Sequence, residues 1–128
     1  MSADESYPAD LRYHHDHDWV RVAVDEATFG ITCHAQDALG EVVFFEPPTV
    51  GSRVEADGSY GSLESVKAVS DVIAPLAGTV TVVNDAVVES PELVNEAPYD
   101  AGWLIRVKLD DVAAVESLLD AAAYQATL

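Results

Sequence analysis

Most of this chain reads as short strands separated by turn residues, and the clearest of them carry apolar residues at every second position. That pattern restricts the chain to small stacked or rolled sheets. Residues 19–24 place Val20, Val22 and Val24 on one face, and residues 28–32 return with Phe29 and Ile31 inward. Asp25-Glu26 between them is the predicted hairpin turn. Thr32 is placed to cap a helical turn over residues 35–39, which Gly40 ends. A β-branched and aromatic run over 41–46 stops at Pro47-Pro48, and Gly51 and Asp57-Gly58 bracket a strand near 52–55. Residues 60–65 and 69–73 are two more candidate strands, with only Val66, Lys67 and Ala68 between them. Pro75 and Gly78 lead to a strand over 79–83, closed by Asn84-Asp85. Pro91, Asn95 and Pro98 mark 91–100 as a loop or a short irregular turn, and 103–109 alternates again. Only the C-terminus changes period. Val112, Val115, Leu118, Leu119 and Ala122 recur at helical spacing behind Asp110 and Asp111, which predicts a helix over 112–124. Many short strands and one terminal helix imply a mainly β fold, an antiparallel barrel or sandwich.

A chain of 128 residues suits one domain, expected over 11–128 behind a flexible N-terminus over 1–10. No apolar stretch is long enough to span a bilayer and no secretory pattern opens the chain, so a cytoplasmic location is expected. Six Lys and Arg stand against 23 Asp and Glu, a net charge of −17. Such a surface repels nucleic acid and anionic membrane, and neither is expected as a partner. The acids are scattered rather than gathered in a tail, which favours adaptation to high salt over a dedicated docking patch. An acidic surface that docks a basic partner is the rival, and both can hold.

Lysine is nearly absent. Lys108 shares the polar face of a strand with Arg106, an ordinary surface setting, whereas Lys67 sits between Val66 and Ala68 at a hairpin tip lacking Asn-Gly or Asp-Gly. A lysine presented on a rigid tip is what a modifying enzyme needs. By pattern alone, modification and an ordinary exposed lysine remain equally open.

The run Glu64-Ser65-Val66-Lys67-Ala68-Val69-Ser70-Asp71 resembles the lipoyl attachment site of the glycine cleavage system H protein family. The likeness extends over Tyr13 and His17-Asp18-Trp19-Val20, Gly30-Ile31-Thr32, Ala35 to Glu41, Pro75 with Gly78, Pro91 to Asn95, Pro98-Tyr99 and Gly102 to Ile105. It implies a flattened barrel-sandwich hybrid of the lipoyl and biotinyl kind, with lipoate in amide linkage to Lys67 and Glu64, Ser65, Val66 and Ala68 as the recognition hairpin. It also implies a shuttle that is not an enzyme. A pyridoxal-phosphate glycine decarboxylase loads an aminomethyl group on the arm. A tetrahydrofolate-dependent aminomethyltransferase takes the methylene, and an FAD-containing dihydrolipoyl dehydrogenase reoxidises the dithiol. A lipoate ligase or lipoyltransferase installs the arm. Family members shelter the loaded arm in a cleft where acids meet its amine, and the matching positions here are Asp18 and Asp71. Asp18 stands where the family usually has Glu, and Ala38 where some members have His.

Lipoyl domains of 2-oxoacid dehydrogenases are shorter and tethered by linkers, and biotin carriers flank the lysine with Met, unlike Val66 and Ala68. A lipoate-relay protein or an unmodified acidic binding protein of the same fold is the alternative. His14, His15 and His17 with Asp16 and Asp18 lack the spacing of a closed metal site, so no metal is expected. Cys33 reads as a small half-buried residue.

Overall fold

A computed structural model describes residues 7–128. It contains β1 (Arg12–Tyr13), β2 (Asp18–Ala23), β3 (Glu26–Ile31), α1 (Cys33–Leu39), β4 (Val42–Glu46), β5 (Arg53–Val54), β6 (Ser59–Ser65), β7 (Val69–Ile73) and β8 (Gly78–Val83). Then follow α2 (Asp85–Glu89), α3 (Leu93–Glu96), β9 (Ile105–Leu109), a 3₁₀ turn (Val112–Ser117) and α4 (Ala121–Gln125). The strands form two antiparallel sheets, a six-stranded one in the order β1-β2-β3-β9-β8-β5 and a three-stranded one in the order β4-β6-β7. Facing each other, they make the flattened sandwich that the alternation predicts.

The core fills from the inward sides of both sheets. Val20, Phe29, Val80, Ile105 and Val107 come from the larger sheet and Phe45, Leu63 and Val72 from the smaller, all buried in one cluster. Each such side chain contributes roughly 1.5–3 kcal/mol by leaving water. A second cluster joins Leu11, Tyr13 and Trp19 to Ala121 and Tyr124 of α4. Trp19 lies opposite Gly30 on β3, where a Cβ would come within 2.6 Å of the indole. Its Nε1–H donates to the Pro98 carbonyl at 2.9 Å.

Three expectations need correction. The β2–β3 turn is Val24-Asp25, one residue earlier than predicted, because Ala23 pairs with Glu26. Val24 adopts φ 61° there and is 91% exposed, so it leaves the inner face that alternation gave it. The helix predicted over 112–124 is broken. The 3₁₀ turn, capped by Asp111, ends at Ser117, Leu119 bridges to Tyr13 in extended form, and Asp120 caps a new helix, α4. The stretch from 84 to 100 also holds two short helices, the first capped by the Asn84 side chain. The flexible segment expected over 1–10 lies outside the described residues for its first six. Beyond them, Tyr7 packs on Tyr124 and the Pro8 carbonyl accepts from the Tyr13 hydroxyl at 2.7 Å.

Candidate functional site

Lys67 occupies the tip of the β6–β7 hairpin, exposed. Glu64 and Val69 are the last strand pair, and the Ser65 N–H donates to the Ala68 carbonyl at 2.7 Å, leaving Val66 and Lys67 as the two loop residues. Both loop residues keep negative φ, so the turn needs no glycine. Buried Ser65 supplies the closure instead. Its Oγ accepts from the Lys67 and Ala68 N–H groups at 3.2 and 3.0 Å, fixing the tip through a side chain. The Val66 N–H donates to the Glu41 carbonyl at 3.1 Å, tying the tip to the body. Among the described residues Lys67 enters no ion pair.

The platform under the tip is the end of α1. Gly40 caps that helix at φ 87°, and a Cβ there would approach Lys67 Cε to 3.2 Å. Asn95 of α3 locks the platform. Its Oδ1 accepts from Val42 N–H at 2.9 Å, and its Nδ2 donates to Gln36 Oε1 at 2.9 Å and the Gly40 carbonyl at 2.8 Å. Sequence reasoning did not give Asn95 this role. An Asn in a predicted loop was a turn signal, and no local pattern reports a bond to a strand so distant in the chain.

Two open clefts flank the platform. One, about 390 Å³, is rimmed by the acids Asp37, Glu41, Glu92 and Glu96. The other, about 300 Å³, lies between α1 and β7 and is lined by Asp16, His17, His34, Ala38, Leu39 and Ser70. His17 adopts φ 75°, and its Nδ1 lies 2.7 Å from the Tyr124 hydroxyl, which also meets Thr32 Oγ1 at 2.8 Å. Burial first, and then the neighbouring His34, pull the His17 pKa down.

The two expected cleft acids have different surroundings. Asp71 is exposed on β7, opposite Ser62. Asp18 is buried. Its Oδ2 accepts from the Tyr60 hydroxyl at 2.7 Å and its carboxyl from the Ile73 backbone, so it clasps β2 to the smaller sheet. Burial raises its pKa well above the usual aspartate range, against the lowering effect of those two bonds. The partners of Asp18 are thus Tyr60 and Ile73, and Asp71 is not among them. His14, His15 and Asp16 bring ligand atoms within 4.8 Å of one another. However, His14 Nδ1 accepts from the Asp16 N–H at 3.0 Å and its Nε2 bonds to Asp57.

The family model for the glycine cleavage H-protein matches residues 11–128. The chain is 48% identical over 123 residues to the glycine cleavage system H protein of Bacteroides thetaiotaomicron, covering 96% of this chain and 98% of that relative. It is 52% identical over 118 residues to a probable glycine cleavage system H protein of Haloarcula marismortui, covering 92% and 93%. The crystal structure of a glycine cleavage system H protein from Mycobacterium marinum superimposes with a TM-score of 0.85 at 40% identity, covering 94% of this chain and 99% of that one. The chain belongs to the glycine cleavage H-protein family, the lipoyl-carrying shuttles of the glycine cleavage system.

Proposed function

We propose that Lys67 is the residue that carries lipoate in this chain. The observation behind the assignment is the hairpin tip. An exposed amine stands on a turn closed by Ser65, anchored to Glu41 and backed by Gly40 and Asn95. A long arm fits there because, among the described residues, no ion pair holds the amine down. Attachment forms one C–N bond as the neutral amine displaces the activating group from a lipoyl carboxyl. That group leaves with its electron pair, and the amine gives up a proton. Glu64, Ser65, Val66 and Ala68 make the recognition hairpin. Once bound, the dithiolane supplies redox and cargo-accepting sulfur chemistry.

The chain itself contributes no catalytic group. It fixes the root of the arm, so that the sulfurs stay at high effective concentration near each docked enzyme. Those enzymes are the glycine decarboxylase, the aminomethyltransferase and dihydrolipoyl dehydrogenase, with a lipoate ligase or lipoyltransferase acting before them, all in the cytoplasm. Asp71 and Asp18 are the acids of the arm's resting cleft. Asp71 faces the cargo's ammonium, while Asp18, its oxygens already engaged, holds the β7 edge two residues along. The scattered acids keep the chain folded and dispersed at high salt.

Reconstitution with Lys67→Arg tests the assignment. The variant keeps the charge and the fold, and glycine-dependent turnover in a mixture of the partner enzymes should fall to background. Turnover above background would contradict it.

A further inference from the structure

We propose that the outer face of the three-stranded sheet, centred on Phe44, is the surface by which the lipoate-attaching enzyme grips this chain. The proposal rests on Lys67 being the attachment point.

Strand register creates this face. The pairing of β4 with β6 shifts between Val42 and Phe44, and the irregularity leaves the consecutive residues Val43 and Phe44 both exposed. Phe44 lies opposite Glu64, and Glu64 lies opposite Val69, so these three make one row across all three strands. Phe44 is 49% and Val69 64% exposed. The next row on the same face is Glu46, Ser62 and Asp71. The tip residues Val66 and Lys67 complete the face beyond the first row, and Val66 is 68% exposed. Apolar groups are thus interleaved with Glu46, Glu64 and Asp71, and Lys67 is the one cation of these rows and tip. A half-exposed phenylalanine ringed by acids matches a partner that offers an apolar socket and cationic side chains around it.

Reach selects which enzyme that is. An unmodified lysine extends only one side-chain length from the backbone, so an enzyme that acylates it must press against the tip and the rows behind it. Enzymes that act on the sulfurs take them once the arm has swung out of its resting cleft, more than a lysine length beyond the tip, and need no contact with Phe44. The opposite side of the hairpin is closed to approach, because Phe45 and Leu63 are buried in the core.

The test uses the purified, unlipoylated full chain with a lipoate–protein ligase, lipoic acid and ATP. Initial rates are read by intact mass across carrier concentrations. Phe44→Ser should raise KM about tenfold with kcat little changed. Val69→Ser, in the same row, should share the defect in smaller measure, and Phe44→Leu should recover most of the wild-type KM. Val82→Ser, an exposed site on β8, should behave as wild type. Once lipoylated, Phe44→Ser should be reduced by dihydrolipoyl dehydrogenase at the wild-type rate. A wild type modified at Lys67 with an unchanged KM for both Phe44→Ser and Val69→Ser overturns this proposal alone. A wild type that accepts no lipoyl group overturns the Lys67 assignment and the proposal together. Equal impairment of Phe44→Ser with the dehydrogenase overturns the assignment of the face to the attaching enzyme.

Discussion

Asp18 shows how far one residue's role depends on what surrounds it. As a sequence symbol it is one acid among 23. In the fold it is a buried carboxyl that joins two sheets through Tyr60 and Ile73, and among the described residues no ion pair offsets its desolvation. Its folded pKa lies above the ordinary aspartate value of 3.8, so the native state holds a proton that the unfolded chain releases. That stabilising contribution is fully present below the unfolded value and is lost as pH rises through the folded one. Asp57 and Asp110 run the other way. His14 and Arg53 lower their pKa values, so their contribution is lost on acidification. Asp18→Asn should therefore gain stability relative to wild type as pH is raised from about 4 toward 8. Urea denaturation of both proteins across that range reads the difference, and parallel stability curves would contradict it. Asp18 was legible as a candidate residue only through the family resemblance of the run His17-Asp18-Trp19-Val20. Its burial was not, since only the packing of β2 against β6 and β7 creates it.

At the scale of elements, period-two alternation located β2, β3 and β9, because a strand with one buried face must alternate whatever its partner, while β-branched and apolar runs between turn residues located β4 to β8. The same logic failed after Asp111. Val112, Val115, Leu118 and Leu119 fit a helical stripe, yet Leu119 is held extended by exchanging backbone bonds with Tyr13, at 2.7 and 2.9 Å. A bond to the far end of the chain leaves no trace in local spacing. The caps at Asp111 and Asp120 were the available signal for two short elements instead of one. Tyr124 fixes the second of these to the rest of the fold. It stacks on Tyr13 at 4.9 Å, and its hydroxyl, its pKa pushed up to about 12 by burial, meets both His17 and Thr32. Because Thr32 also caps α1, this hydroxyl joins the C-terminus to the helix beneath Lys67. Tyr124→Phe keeps the ring and orphans these partners, which should cost about 1–3 kcal/mol. Hydrogen exchange should quicken over Ala121–Gln125. Unchanged stability and protection would show that the hydroxyl does not hold the element.

Across the whole molecule, the charge of −17 is the property that salt acts on most directly. Repulsion among exposed carboxylates reaches about 10 Å at 0.1 M salt and about 3 Å at 1 M. The thermal midpoint should accordingly rise from dilute to molar potassium chloride, and a flat or falling midpoint would remove the salt-adaptation reading. The architecture also explains why so acidic a chain keeps a bare amine in plain view. Among the described residues the nearby acids rim the cleft beside α1 or stand on the outer sheet face, and none pairs with Lys67. Among the described residues Lys67 stands outside any ion pair on a tip held by Ser65, whereas Lys108, the only other lysine and also exposed, lies 4.0 Å from Asp25, and the proposed attachment point is Lys67. Incubating the unlipoylated chain with a lipoate–protein ligase, lipoic acid and ATP, then measuring intact mass and mapping the modified peptide, tests that directly. The expected result is a gain of one lipoyl group, located at Lys67 and absent from Lys67→Arg. A lipoyl group on Lys108, or none on a folded wild-type chain, would contradict it.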